Sequence, residues 1–430
     1  MSIKTKKRLV VGAFVLIIAL AVMFITKWAE VSAEAETYEG LKAFTEVISV
    51  IKRNYVEPVD TKDLIYNAIK GMLSSLDPHS AFLTPDEYKD MQVETKGEFG
   101  GLGIQVGIKN GVLTVISPIE DTPAWNAGIK AGDRIIKING ELTKDISLQD
   151  AVKRMRGPEG TNVTITIVRD DWDAPKDITI TRAIIKVKSV KSKVIEGNIG
   201  YIKILQFQEA TSNDLSTAIK KLAEENITSI VLDLRNNPGG LLQSAIDVTG
   251  NFLPEGKLIV YLKSRGGDRI DYRTERGKEV SSLPMVVLVN QGSASASEIV
   301  AGALKDWNRA VILGTQTFGK GSVQSVIPLS EGTGLRLTTA RYYTPKGTSI
   351  QSTGITPDIV VKLEAKNGEK EHPIMREKDL DRHLKNEKED TDEEEPEKAI
   401  LTEVQEKDDT QLQRAIDILK TWHVFKGLAK

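Results

Sequence analysis

The sequence predicts an α/β protein that carries a separate strand-rich module and helical segments at both ends of the chain. Between residues 184 and 361, strand-like apolar runs alternate with helical patterns, as in Ile199 to Ile204 followed by Leu215 to Leu222. Residues 97 to 169 instead show short alternating strands and glycine turns. A chain of 430 residues, 40% of them hydrophobic, is long enough for roughly two or three domains with their own cores.

Residues 1–35 are typical of a signal peptide or a membrane anchor. Four basic residues between positions 4 and 8 precede an uncharged apolar run from Leu9 to Ile25. This apolar run is longer than the core of most signal peptides and barely reaches the length of a membrane-spanning helix. Because the basic residues come first, we expect Met1 on the cytoplasmic side and the rest of the chain outside. Residues 33–35, Ala-Glu-Ala, are a candidate cleavage site.

Residues 36–95 predict a small helical region, because apolar residues such as Phe44, Val47, Ile48 and Ile51 recur at helical spacing.

Residues 96–170 carry an ordered set of turn and strand motifs. The turn Gly101-Leu102-Gly103-Ile104 comes first, and later turns include Gly132-Asp133. The set and its order resemble a PDZ domain. The resemblance implies that the turn from Gly101 to Ile104 binds a terminal carboxylate, and that the strand from Ile104 to Ile108 pairs with a peptide.

A serine-rich turn carries the candidate nucleophiles Ser293, Ser295 and Ser297. It lies between an apolar run, residues 285–289, and a helical pattern, residues 299–304. A serine at such a strand-to-helix junction exposes its hydroxyl beside free backbone amides. Local spacing does not choose among the three serines. Ser295 and Glu298 also match a capping box, in which the serine merely caps the helix.

A second turn, residues 317–321, offers Lys320 as a base. A lysine removes a proton only when it is neutral. Lowering its pKa from about 10.4 to about 7.5 corresponds to roughly 4 kcal/mol and requires burial. Residues 314–320 also match the start of a phosphate-binding loop. Gly321 replaces the hydroxyl that should bind magnesium, and a strand pattern follows where a helix is needed, so we expect no nucleotide.

A histidine is the alternative base. Three of the four histidines lie in or near the charged C-terminal region. His79 could reach the site from across the fold, but we interpret it as a turn residue that bonds its own backbone. The chain has no cysteine, which excludes a thiol nucleophile and thiolate metal sites. We expect no metal, no cofactor and, at a net charge of −2, no nucleic-acid partner.

From about Tyr38 to Val361 the chain is similar to the C-terminal processing peptidases, or tail-specific proteases, which use a Ser/Lys dyad. In that family the nucleophile is the middle serine of a serine-rich turn like the one that carries Ser293, Ser295 and Ser297. The base is a lysine 25 positions later. The resemblance therefore selects Ser295 and Lys320. A glutamine four residues beyond the lysine usually orients it, and Gln324 occupies that position.

The family's oxyanion hole pairs the amide after the serine with an amide from a glycine turn. The resemblance implies Ala296 for the first donor and either Gly239 or Gly240 for the second. It also implies that residues 171–363 form a crotonase-like α/β core with a strand-rich cap.

Beyond residue 363 the sequence becomes highly charged. We predict a solvated linker over residues 364–400. Residues 401–430 recover helical spacing, with Leu412, Ile416 and Leu419, and predict a C-terminal helix that docks on a partner subunit or packs on its own domain.

Together these features predict an extracytoplasmic serine endopeptidase of the bacterial cell envelope, in the periplasm or on the outer face of the cytoplasmic membrane. It would bind polypeptides with apolar C-termini through its PDZ domain and cleave them through an acyl-enzyme. Further expected partners are the membrane, if the N-terminal segment stays uncleaved, a second copy of the chain, and an activator or adaptor protein. The alternative is a membrane-tethered PDZ scaffold without turnover, for instance because Lys320 stays protonated.

Overall fold

The computed structural model describes residues 37–275, 281–363, 372–386, 398–399 and 408–428. The predicted signal or anchor segment lies outside the described residues. The chain divides into two units, Met1–Leu73 and Ser74–Lys430. In the described ranges, no helix has both the length and the apolar character needed to cross a membrane.

Two helices, α1 (residues 37–54) and α2 (Thr61–Ser74), account for nearly all the described part of the first unit. The start of α2 follows from its preceding residue, because the Asp60 carboxylate accepts a hydrogen bond from the Lys62 amide at 2.6 Å. The predicted helical character of this region is confirmed.

The second unit opens with a short strand, β1 (Ala81–Leu83), and a helix, α3 (Pro85–Lys96). Thr84 and Glu87 form a reciprocal capping box at the start of α3. Helix α3 ends at Gly97, which has a φ of 72°.

The PDZ region is an antiparallel sheet with two helices. Strand β2 (Glu98–Gly101) precedes this sheet. The strands of the sheet are β3 (Ile104–Lys109), β4 (Val112–Pro118), β5 (Arg134–Ile138), β6 (Glu141–Leu142), β7 (Asn162–Val168) and β8 (Lys176–Thr181), and the helices are α4 (Pro123–Asn126) and α5 (Leu148–Met155). The sheet has the order β3-β4-β5-β7-β8, with β6 paired to β5. Strand β3 is therefore at the edge, and α5 packs beside it.

The remaining elements form the α/β core and its cap. In chain order the strands are β9 (Ala183–Lys186), β10 (Val190–Ile195), β11 (Ile199–Ile204), β12 (Ser229–Asp233), β13 (Leu258–Ser264), β14 (Arg269–Arg273), β15 (Met285–Val289), β16 (Val311–Gly314), β17 (Ser322–Pro328), β18 (Gly334–Tyr343), β19 (Ile359–Val360), β20 (His372–Pro373) and β21 (Lys398–Ala399). The helices are α6 (Thr211–Glu224), α7 (Leu242–Thr249), α8 (Ala296–Asp306) and α9 (Thr410–Leu428), with 3₁₀ turns at Ser330–Gly332 and Glu377–Asp379.

The central sheet has the order β10-β11-β12-β15-β16-β19 and is parallel except for β10. A second sheet has the order β1-β18-β13-β14, with β17 also paired to β18. Strands β2 and β9 form a two-stranded ribbon, and so do β20 and β21. The predicted combination of α/β core, strand-rich cap, PDZ domain and terminal helices is confirmed.

Helices cover both faces of the central sheet, as its nearly continuous apolar strands require. Ile230 and Leu232 of β12 belong to the cluster that includes α7 and α8. Val231, between them, belongs to the cluster that includes Ile416 of α9. The C-terminal helix therefore packs on its own domain.

Candidate active site

Three turns of the candidate site follow neighbouring parallel strands, β12, β15 and β16. The glycine turn follows β12, the serine turn follows β15 and the lysine turn follows β16. Because the carboxyl ends of parallel strands meet at one edge of a sheet, the three turns come together there.

Ser295 is the residue immediately before α8, as the strand-to-helix pattern predicts. Its φ of 54° is a left-handed conformation that side chains disfavour. The Ser295 amide donates to the Glu298 carboxylate at 2.8 Å, which is half of a capping box. Its hydroxyl oxygen lies 2.8 Å from the hydroxyl oxygen of Tyr342, and the two groups are hydrogen-bonded.

The neighbouring serines are held by the backbone. The Ser293 hydroxyl donates to the Leu234 carbonyl at 2.8 Å and also accepts from the Asn290 amide at 3.0 Å. The Ser297 hydroxyl donates to the Asn237 carbonyl at 2.9 Å. Both side chains are fully buried, whereas Ser295 is partly exposed. The structure thus separates three serines that local spacing could not distinguish.

Glu298 joins the serine turn to the lysine turn. Its carboxylate is fully buried and accepts hydrogen bonds from the Ser295 amide, the Thr317 hydroxyl and the amides of Gly319 and Lys320 at 2.5–2.9 Å. Burial raises the pKa of Glu298 to about 7, although these hydrogen bonds oppose the rise. One side chain therefore fixes the backbones on which Ser295 and Lys320 are carried.

The Lys320 side chain is half-buried. Burial lowers the pKa of Lys320, and the positive charge of Arg336 lowers it further, while the carboxylates of Glu377, Glu298 and Asp77 act in the opposite direction. Within the described part of the chain, the amine makes no hydrogen bond or ion pair, and none joins it to the Ser295 hydroxyl. Lys320 therefore carries a lowered pKa but makes no hydrogen bond to the Ser295 hydroxyl.

Gln324 lies on β17, and its side-chain amide bonds to neighbours other than Lys320. The amide nitrogen donates to the carbonyl and the hydroxyl of Ser322 at 3.2 and 3.0 Å. An orienting role for Gln324 toward Lys320 stays a prediction.

The glycine turn lies against the serine turn. A side chain on Gly239 would place its Cβ 2.8 Å from the Ser295 Cβ and 3.0 Å from the Ala296 amide nitrogen. The Gly239 amide donates to the Asn237 side chain at 2.9 Å. Among the described residues, no acceptor binds the amides of Gly240 and Ala296. Two free amides therefore belong to turns that touch beside Ser295.

The PDZ turn is anchored through its carbonyls. Leu102 O accepts from the Ala124 amide at 2.9 Å, and Gly103 O accepts from the Ile119 amide at 2.8 Å. Gly103 has a φ of 77°, and a Cβ there would lie 2.3 Å from the Thr122 Cβ. Only glycine fits this position without moving the turn.

Two side chains near Ser295 and Lys320, those of Tyr342 and Glu377, were not predicted from the sequence. Tyr342 lies on β18, and its hydroxyl is hydrogen-bonded to that of Ser295. Glu377 lies within the predicted linker, yet it is buried, and it accepts hydrogen bonds from Gln351 at 2.9 Å and lies 2.8 Å from the His79 ring. The His79 ring thus contacts a residue 298 positions away, and it is the His79 backbone amide that donates to Asp77 in the local turn, at 2.8 Å. Neither contact leaves a local sequence signal.

Comparison with known proteins agrees with this architecture. Residues 198–361 match peptidase family S41, residues 114–169 match the PDZ domain, and residues 22–86 match the N-terminal domain of the activating protease CtpB. The fold and the site thus define a serine-type peptidase that carries a PDZ domain.

Sequence identity to curated proteins places the chain in a narrower group of these peptidases. The chain is 48% identical over 392 residues to a carboxy-terminal-processing protease of Bartonella bacilliformis, covering 90% of each protein. It is 40% identical over 321 residues to a carboxyl-terminal-processing protease of Synechocystis, covering 73% of this chain and 75% of that protein. The chain belongs to peptidase family S41, among the carboxy-terminal-processing proteases. The resemblance predicted from the sequence is confirmed.

A solved photosystem II D1 C-terminal processing protease is 32% identical and is matched with a TM-score of 0.44, over 74% of this chain and 86% of that one.

Proposed function

We propose that this peptidase cleaves internal peptide bonds of polypeptides with apolar C-terminal tails, using Ser295 as nucleophile and Lys320 as general base. One observation carries the proposal: Ser295 is the partly exposed serine of its turn, and Glu298 fixes its backbone to that of a half-buried lysine, which makes no ion pair with any described residue and whose pKa is lowered. A neutral lysine in such surroundings is a competent base at moderate pH.

The reaction begins when the Ser295 hydroxyl turns from Tyr342 to the Lys320 amine. The neutral amine takes the hydroxyl proton while the Ser295 oxygen attacks the substrate carbonyl carbon. The resulting ammonium then protonates the leaving amine, which leaves an acyl-enzyme. Water, deprotonated by the same amine, hydrolyses the ester and restores Ser295.

The amides of Ala296 and Gly240 are the proposed oxyanion donors. Both are free among the described residues, whereas the Gly239 amide is already bound to Asn237. We therefore assign the donor role to Gly240, and to Gly239 the role of a residue small enough to let the two turns touch. Such donors stabilise charge that develops only in the transition state.

Tail recognition is assigned to the PDZ turn and strand β3. In a trans peptide the N–H points away from the preceding carbonyl. Because the carbonyls of Leu102 and Gly103 face the domain, the amides of Gly103 and Ile104 face outward, where a carboxylate can bind. Strand β3 is an edge strand that begins at this turn, so a peptide whose C-terminus binds the turn can pair with β3 as an antiparallel strand.

The location outside the cytoplasm also belongs to the proposal and is supported by the basic and apolar pattern of the N-terminus. The match of residues 22–86 to the N-terminal domain of an activating protease supports an activator or adaptor as a further partner. A second copy of the chain is proposed on the family resemblance.

The test is turnover of an unstructured protein ending in apolar residues by the full-length chain and its Ser295→Ala and Lys320→Ala variants. Lys346→Ala, at an exposed lysine, is the matched control. We expect cleavage by the parent and the control only, with tail binding retained in all four proteins. Cleavage by Lys320→Ala at the parental rate would show that another group is the base.

A further inference from the structure

The C-terminal helix α9 reaches the candidate site through a buried ion pair. The Asp409 carboxylate accepts two hydrogen bonds from the Arg235 guanidinium, both at 2.8 Å. The exposed fractions of Arg235 and Asp409 are 9% and 7%, so the pair is shielded from water. A buried bidentate pair of this kind fixes geometry as well as charge.

Asp409 holds the helix and the arginine at the same time. Its Oδ1 atom also accepts from the Leu412 amide at 3.0 Å, which caps the first turn of α9. Gln411, in that turn, accepts from Arg235 at 3.0 Å and donates to the Val361 carbonyl at 2.7 Å. The start of α9 is therefore tied to the guanidinium and to the end of the α/β core.

Arg235 stands at the base of the glycine turn. It is fixed on its other side by Asp233, which is fully buried and accepts from the guanidinium at 2.7–3.2 Å. The next residues bind the serine turn directly. The Asn236 amide donates to the Asn290 side chain at 2.9 Å, and the Asn237 carbonyl accepts from the Ala294 amide at 3.0 Å. The path from α9 to Gly240 is therefore short and continuous.

We propose that Asp409 is a positioning residue for the oxyanion hole, holding residues 236–240 against the serine turn through Arg235. The inference rests on the proposed roles of Gly240 and Ala296. The C-terminal helix then helps to hold the turns of the candidate site in place at the edge of the central sheet.

The charges around Arg235 indicate what the loss of the Asp409 carboxylate would do. Removing its carboxylate leaves Arg235 paired with Asp233, so no cation is left without a partner. The substitution removes a restraint on the turn but leaves no buried charge without a partner. The protein should therefore remain folded. Because oxyanion stabilisation exists only in the transition state, kcat should fall while KM changes little.

The experiment compares Asp409→Ala with Lys420→Ala in the full-length chain. Lys420 also joins α9 to the core, through an ion pair with Glu196, but both partners are solvent-exposed and the pair does not involve Arg235. Hydrogen exchange of residues 236–241 is measured first, and kcat and KM on the tailed substrate second. In Asp409→Ala we expect about tenfold faster exchange and about tenfold lower kcat, as for loss of one buried charge-assisted contact. Lys420→Ala should match the parent.

Exchange of residues 236–241 in Asp409→Ala that equals exchange in Lys420→Ala would overturn the inference. If Asp409→Ala releases α9 entirely, Asp409→Asn decides, since its amide oxygen can still cap Leu412 while its charge is lost. Faster exchange confined to residues 236–241 in that variant supports the inference, and unchanged exchange overturns it. An inactive parent would refute the proposed function, yet the exchange measurement would still decide the role of Asp409.

Discussion

The hydroxyl oxygens of Ser295 and Tyr342 lie 2.8 Å apart, so a phenol, and not a base, is the hydrogen-bond partner of the candidate nucleophile. Burial raises the pKa of Tyr342, which keeps its hydroxyl neutral. A neutral phenol does not activate a serine. In the proposed mechanism, Ser295 therefore exchanges Tyr342 for Lys320 before it reacts.

Replacing Tyr342 with Phe should increase kcat/KM by about twofold to fivefold, because breaking this hydrogen bond costs roughly 1 kcal/mol. The measurement is steady-state cleavage of a tailed substrate. Tyr343→Phe is the matched control, since Tyr343 lies next on the strand with its ring stacked on Tyr261. A tenfold loss in Tyr342→Phe alone would mean that Tyr342 assists the reaction.

Replacing Arg336 with Gln should shift the acid limb of the pH profile of kcat/KM to higher pH. Arg336 lowers the pKa of Lys320, so removing its charge lets that pKa rise and leaves less neutral amine at a given pH. Arg336→Lys keeps the charge and should keep the parental limb. If the acid limb of the pH profile of Arg336→Gln lies at the parental pH, the limb reports a group other than Lys320.

Replacing Glu377 with Gln should move the same limb in the opposite direction. Glu377 raises the pKa of Lys320, so its neutral isostere should leave more neutral amine at lower pH. The Gln amide can still accept from Gln351, and Glu377→Asp, which keeps the charge, is the control. Shifts of the same sign in Glu377→Gln and Arg336→Gln would contradict an electrostatic origin for both.

Replacing Gly103 with Ala should abolish preference for apolar tails, because the new Cβ would collide with Thr122 and displace the carboxylate-binding turn. Gly111→Ala is a close control. Both glycines have a φ of 77°, but a Cβ on Gly111 would meet open space. The measurement is the ratio of cleavage rates for substrates ending in apolar and in acidic residues. Equal ratios in the two variants would count against the PDZ turn.

Local sequence pattern predicted the features that local chemistry determines. The apolar run before Ser295 and the helical spacing after it were enough to place the serine at a strand-to-helix junction, and the family spacing paired it with Lys320. Gly239 and Gly240 could not be separated, since the distinction depends on whether the Asn237 side chain binds one amide.

Tyr342, Glu377 and Asp409 could not be predicted because their contacts join distant parts of the chain. Asp409 meets Arg235 across 174 positions, and Glu377 meets His79 across 298. Periodicity describes which face of an element is buried, but it does not say which distant residue covers that face.

Because one buried carboxylate, Glu298, holds the amides of both Ser295 and Lys320, the two backbones cannot separate without losing several charge-assisted hydrogen bonds at once. In the proposed mechanism, the step that joins Ser295 to Lys320 is then a change of side-chain torsion. Such rotations take picoseconds to nanoseconds for exposed side chains, but Ser295 and Lys320 are half-buried and Tyr342 is buried, so we expect slower rotation here. In the proposed mechanism, connecting Ser295 to Lys320 therefore requires side chains to rotate within a packed site while both backbones stay in place.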